Sequence, residues 1–89
     1  MNKSERTHIE RIKNMPCSCC DAPAPSDAHH IRTGQGASQR ASHYLVVPLC
    51  KDCHQGVNGV HGDKTMLRIM KLTELDLLAI TIERLQNER

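Results

Sequence analysis

Phenylalanine and tryptophan are missing from these 89 residues, and Tyr44 is the single aromatic. Large rings contribute most per buried side chain, so a core built on aromatic packing is excluded. A chain this short buries too small a fraction of its surface to be comfortably stable on packing alone, and a cross-link of another kind is expected. Long apolar runs are lacking too. Nothing approaches the roughly 20 residues of a bilayer-spanning helix, and residues 1–15 are charged and mixed where a secretory signal would be apolar. The expectation is a cytoplasmic protein with no membrane partner. Between Asp27 and Asp52 there is no acidic residue. That window leaves Arg32, Arg40 and Lys51 where a polyanion meets least repulsion. The net charge of only +2 excludes a polycation that coats nucleic acid indiscriminately. Residues 1–15 hold four of the 12 basic and two of the 10 acidic residues, and the remainder balances at eight of each.

What the chain does have is cysteine and histidine in two compact clusters. Five cysteines, an odd number, suit a disulfide framework poorly. Cys17 with Cys20, and Cys50 with Cys53, have the Cys-x-x-Cys spacing that presents two sulfurs from one tight turn. Two such turns complete the tetrahedron a structural zinc ion prefers. Cys19 is the spare, or a replacement for Cys17 or Cys20. This ion would pin the chain ahead of His29-His30 against the start of a helix carrying His54.

In chain order, Ser4 to Asn14 predicts a short helix capped by Ser4, with Ile9, Ile12 and Met15 on one face. Pro16 stops it, and Ala22 to Ser26 is too proline-rich for helix. His29 to Arg32 and His43 to Val47 predict a hairpin-like pair closed by Pro48, followed by a short helix from near Leu49. Thr65 predicts a cap for a turn or two through Met70. Thr73 and Asp76 form a variant capping box for a helix from Glu74 to about Asn87. Leu75, Leu78, Ala79, Ile82 and Leu85 make its stripe, widened by Leu77 and Ile80 and expected as core with room left for a dimer. No chemistry is legible in this C-terminal third.

The histidines suggest a second, working site. Side chains of adjacent strand residues point to opposite faces, so His29 and His30 can divide labour, one facing a metal and the other a scissile group. A metal beside a phosphate, with a neutral imidazole near it, is a recipe for hydrolysis. His54 and Asn58 lie one helical turn apart and can face the same ion; His61 joins them if the glycines fold the segment back.

Ala28-His29-His30-Ile31, the strand Tyr44 to Val47, and Pro48 through Cys53-His54 resemble the HNH endonuclease motif, a hairpin-plus-helix metal finger. From Cys17 to Gly62 the chain further resembles phage and prophage nucleases of the recombination-enhancement, RecA-dependent type. The resemblance implies a small α+β fold, an HNH (ββα-metal) finger with a four-cysteine zinc knuckle, flanked by an N-terminal helix and C-terminal helices. A single domain, 1–89, would divide into 1–15, 16–62 and 63–89. It implies His29 as a ligand of the catalytic metal, His30 as general base, and His54 with His61 or Asn58 completing the shell. The middle Asn of the motif has no counterpart here, and His43 is the nearest candidate for its role. The second divalent ion would be zinc, manganese, nickel or magnesium, with neutral nitrogen ligands disfavouring magnesium. Implied partners are DNA and a RecA–DNA filament, for a monomer or homodimer in a bacterial or phage-infected cell. The competing class is a zinc-ribbon nucleic-acid-binding or accessory module that cuts nothing, for which the His29-His30 pair has no use.

Overall fold

The computed structural model describes residues 1–32 and 42–87. Its elements run α1 (Lys3–Lys13), β1 (Asp27–His30), β2 (Val46–Leu49), α2 (Lys51–Gln55), α3 (Thr65–Met70) and α4 (Glu74–Asn87). The fold is a small α+β domain around one antiparallel two-stranded sheet. Among the described residues no helix is long and apolar enough to cross a membrane.

The ladder pairs Asp27 with Leu49, Ala28 with Pro48, His29 with Val47 and His30 with Val46. Because side chains alternate along a strand, this register sorts the sheet into two faces. One presents Asp27, His29, Val47 and Leu49. Against it lie Ile31, Cys53, Val60, Leu67 and Leu77, with Cys17 and Cys19. The other presents Ala28, His30, Val46 and Pro48, and α1 covers part of it through Ile12 and Met15. Helix α4 serves both clusters, Leu77 in the first and Leu85 beside the second. Each fully buried aliphatic side chain contributes about 1.5–3 kcal/mol.

Several local expectations are corrected. Asn2, not Ser4, caps α1: its side chain accepts from the Glu5 N–H while Glu5 accepts from the Asn2 N–H, both at 2.8 Å, a reciprocal box that starts the helix a residue early. The strands lie two or three residues from where they were expected, and Pro48 sits inside β2 instead of closing it. An outer strand tolerates proline because one row of its N–H groups has no ladder partner. The Pro48 carbonyl is used fully, accepting from Ser18 N–H at 2.9 Å and from Ser18 Oγ–H at 2.8 Å. Thr65 does not cap α3; Lys64 occupies that position with left-handed backbone, and the Thr65 N–H is taken by Asp63 Oδ1 at 2.9 Å.

The α4 bounds and the Thr73–Asp76 box match the reading of the sequence, but its buried face does not. Leu77 and Thr81 are the buried residues, while Leu75 and Ile82 stand about half exposed. Thr81 enters the core because its hydroxyl donates to the Leu77 carbonyl at 2.8 Å, which leaves only its methyl to pack. Leu77→Ala should therefore cost about 2–5 kcal/mol in chemical denaturation, and Leu75→Ala less than about 0.5 kcal/mol. The reverse order would restore the predicted stripe.

Candidate functional site

Two side-chain clusters that could each hold a metal ion flank the short helix α2. The first gathers Cys17, Cys20, Cys50 and Cys53, whose sulfurs all lie within 4.8 Å of one another. Cys20 Sγ and Cys50 Sγ are 3.6 Å apart. Tetrahedral zinc, with bonds of about 2.3 Å, separates its sulfurs by about 3.8 Å, so the donors fit such an ion in number, type and spacing. The five cysteines, all among the described residues, form no disulfide. Burial pushes the Cys53 thiol well up, and the sulfurs of Cys50, Cys20, Cys17 and Cys19 push it further. Burial also acts to raise Cys17, but the backbone N–H groups of Cys50, Cys20 and Cys19 aimed at its sulfur bring it down overall. The Cys17 thiolate is thus supported by the backbone, whereas burial opposes ionising Cys20 and Cys53, which a bound cation would favour. Cys19 stays outside the cluster, buried in the core.

The second cluster gathers His29, His54 and His61, one ring nitrogen from each lying within 4.8 Å of the others. His29 comes from the buried face of β1, and His54 from α2, directly after the ligand candidate Cys53. His61 arrives because the chain folds back on α2: Val60 N–H donates to Cys53 O at 2.8 Å and His61 N–H to His54 O at 3.2 Å. Gly59 makes that return possible, since a Cβ there would stand 2.6 Å from the carbonyl oxygens of Asp52 and Cys53. His54 Nε2 and His61 Nε2 are 3.1 Å apart, close to the roughly 3.3 Å expected of two imidazoles on one tetrahedral ion. Asn58 is engaged elsewhere, with Asp63. Its exposed amide turns its NH2 to the Asp63 carboxylate, 3.2 Å from both oxygens.

Two carboxylates support the histidines, and neither was singled out from sequence. Asp27 Oδ2 lies 3.0 Å from His54 Nδ1, which leaves His54 Nε2 toward His61. That contact, more than any other influence, holds the Asp27 carboxyl below its ordinary range. Glu74 Oε2 lies 2.9 Å from His29 Nε2 and accepts from the Arg32 N–H at 3.4 Å. The C-terminal third, in which no site residue was expected, thus reaches the histidine cluster through Glu74. Burial lowers the His29 pKa against the opposing pull of Glu74, favouring the neutral imidazole that a metal requires.

His30 faces the other side of β1, with its Nε2 3.1 Å from His43 Nδ1. Burial, then the charge of His43, lowers its pKa, favouring the neutral imidazole. Of the basic residues proposed for DNA, Arg32 is exposed just beyond β1, and Lys51 is exposed with its Nζ 3.8 Å from Asp27 Oδ1. Arg40 lies outside the described residues.

With this geometry stands a match over residues 2–84 to the family described as "Protein of unknown function (DUF968)". The chain belongs to that family. It is also 35% identical over 74 residues to "Uncharacterized protein YdfU" of Escherichia coli (strain K12), a match over 82% of this chain. The chain spans only 20% of that relative's length. No solved structure matches it.

Carboxylates that orient a metal-bound histidine carry about 10- to 100-fold in metal affinity. Asp27→Asn and Glu74→Ala should each lower affinity at the histidine cluster by that factor in a calorimetric titration, leaving the cysteine-bound zinc in place. Cys50→Ser should remove that zinc together with the cooperative unfolding transition, because metal binding in a domain this small is folding energy. A Cys50→Ser protein that melts like the parent would contradict the structural role.

Proposed function

We propose that this DUF968 domain is a metal-dependent DNA endonuclease of HNH type, in which β1, β2 and α2 form the ββα-metal finger and the four cysteines hold a structural zinc. One observation carries the reading. Two adjacent strand residues lie on opposite faces with different company: His29 joins His54 and His61, while His30 pairs with His43. A zinc-ribbon binding module has no use for the second arrangement.

A divalent ion held by His29, His54 and His61 would offset charge on the scissile phosphate and the leaving oxygen. The chain's own residues do the rest. Hydrolysis forms a bond from a water oxygen to phosphorus and breaks a phosphorus–ester oxygen bond. His30 takes the proton that the water loses. If His30 Nε2–H donates to His43 Nδ1, its Nδ1 is the nitrogen left to accept that proton, and His43 fixes the ring's tautomer and tilt. His43 thus stands in for the motif's missing Asn as the residue that orients the base. Asp27 and Glu74 hold the rings of His54 and His29 for the ion. Arg32 and Lys51, on the exposed rim near this site, are suited to neighbouring phosphates. Three neutral imidazoles suit zinc, manganese or nickel better than magnesium.

The test is plasmid nicking across a divalent-metal series. His30→Ala should lower cleavage by a factor on the order of 100 to 10,000 while metal affinity and zinc content stay at parental values. His54→Ala should lower affinity and cleavage together, with partial rescue by excess metal. If His30→Ala weakens metal binding as His54→Ala does, the two-face division is wrong. If the parent nicks nothing with any ion, the domain is a binding module.

A further inference from the structure

The second face of the sheet, on which His30 lies, is covered in part by α1. Along α1 runs a groove of about 370 Å³ lined by Lys3, Ser4, Thr7, His8, Arg11 and Tyr44. Among the described residues the lining has two fixed positive charges, two aliphatic hydroxyls, an imidazole and a phenol ring, and no carboxylate. Glu5, the acidic residue of the first turn, is committed to the Asn2 cap. Tyr44, the chain's single aromatic, is 48% exposed here, with its ring centroid 5.1 Å from that of His8. A chain so poor in rings leaves its one ring unburied, in the middle of basic and hydroxyl side chains. Tyr44 also follows His43 directly, and His43 touches His30. Groove and histidine pair are thus one peptide bond apart in the chain.

We propose that this groove binds an unpaired nucleic-acid strand, with phosphates along Lys3, Ser4, Thr7 and Arg11 and a base stacked on Tyr44. Basic and hydroxyl side chains beside an exposed ring are the combination that single strands use, since every base has a stacking face and duplex bases do not offer theirs. From Lys3 to Arg11 the helix rises about 12 Å, so the basic and hydroxyl side chains are spread along a line and not gathered at one point. The proposal rests on the nuclease reading only for the direction of the strand, which would lead toward His43 and His30.

Fluorescence anisotropy of a labelled oligothymidylate on the zinc-loaded full chain tests it, with zinc content confirming the fold of each variant. Tyr44→Ala should weaken binding about 5- to 150-fold, the worth of one stacked base. Lys3→Ala, an exposed change at the start of α1, should flatten the log–log salt dependence by about 0.7. Parental binding and salt slope in both variants overturn the proposal. So does displacement of the strand by polyglutamate as readily as by unlabelled oligonucleotide, which would mark a surface for acidic protein. Strand binding is read apart from plasmid nicking, so the two readings separate. Variants that lose the strand, from a parent that nicks no plasmid, keep the groove and remove the nuclease. Variants that bind normally, from a parent that nicks, do the opposite.

Discussion

Four sulfurs within 4.8 Å of one another are the constraint on which the remaining geometry depends. Cys50 and Cys53 bracket the first turn of α2, and Cys17 and Cys20 bracket the turn after α1, so a single ion would tie together segments some thirty residues apart in sequence. The backbone repeats the tie beside it, where Ser18 donates twice to Pro48 inside β2. Arg84 adds a third strap, reaching from α4 to Asp21 Oδ1 at 2.6 Å. Two short strands and a five-residue helix would be marginal alone. Held at this corner, they become a fixed frame.

Histidine placement follows from that frame. His54 is the residue after Cys53, so whatever fixes the sulfur fixes the imidazole to within one peptide unit. Asp27, at the start of β1, reaches His54 because the ladder sets it opposite Leu49, at the foot of α2. Glu74 reaches His29 because the Thr73–Asp76 box starts α4 at that point. The helical C-terminal third is therefore coupled to the histidine cluster as well as to the core. A change that shifts the start of α4 should be felt in metal affinity.

Much of this was legible in the sequence where spacing is local. The Cys-x-x-Cys pairs, the capping box of α4 and the opposite facing of His29 and His30 each depend on a few neighbouring residues. What stayed hidden depended on long-range contact. Asp27 and Glu74 look like ordinary surface acids until the fold sets them beside rings 27 and 45 residues away. Thr81 looks polar, and so concealed the Leu77–Thr81 face behind a more regular leucine stripe. His61 and Asn58 could not be ranked without seeing Gly59 turn the chain back over α2. Pro48 looked like a strand terminator because nothing local shows that its missing N–H faces away from the ladder.

The proposed function requires one small frame to carry two metal sites of different kind, sulfur for structure and imidazole for chemistry. Native mass spectrometry of the metal-loaded chain tests this most directly. The account predicts two ions per chain, one retained under mild chelation and one lost, with His29→Ala and His61→Ala each removing only the labile ion. A single ion per chain, or a labile ion that persists in both histidine variants, would contradict it.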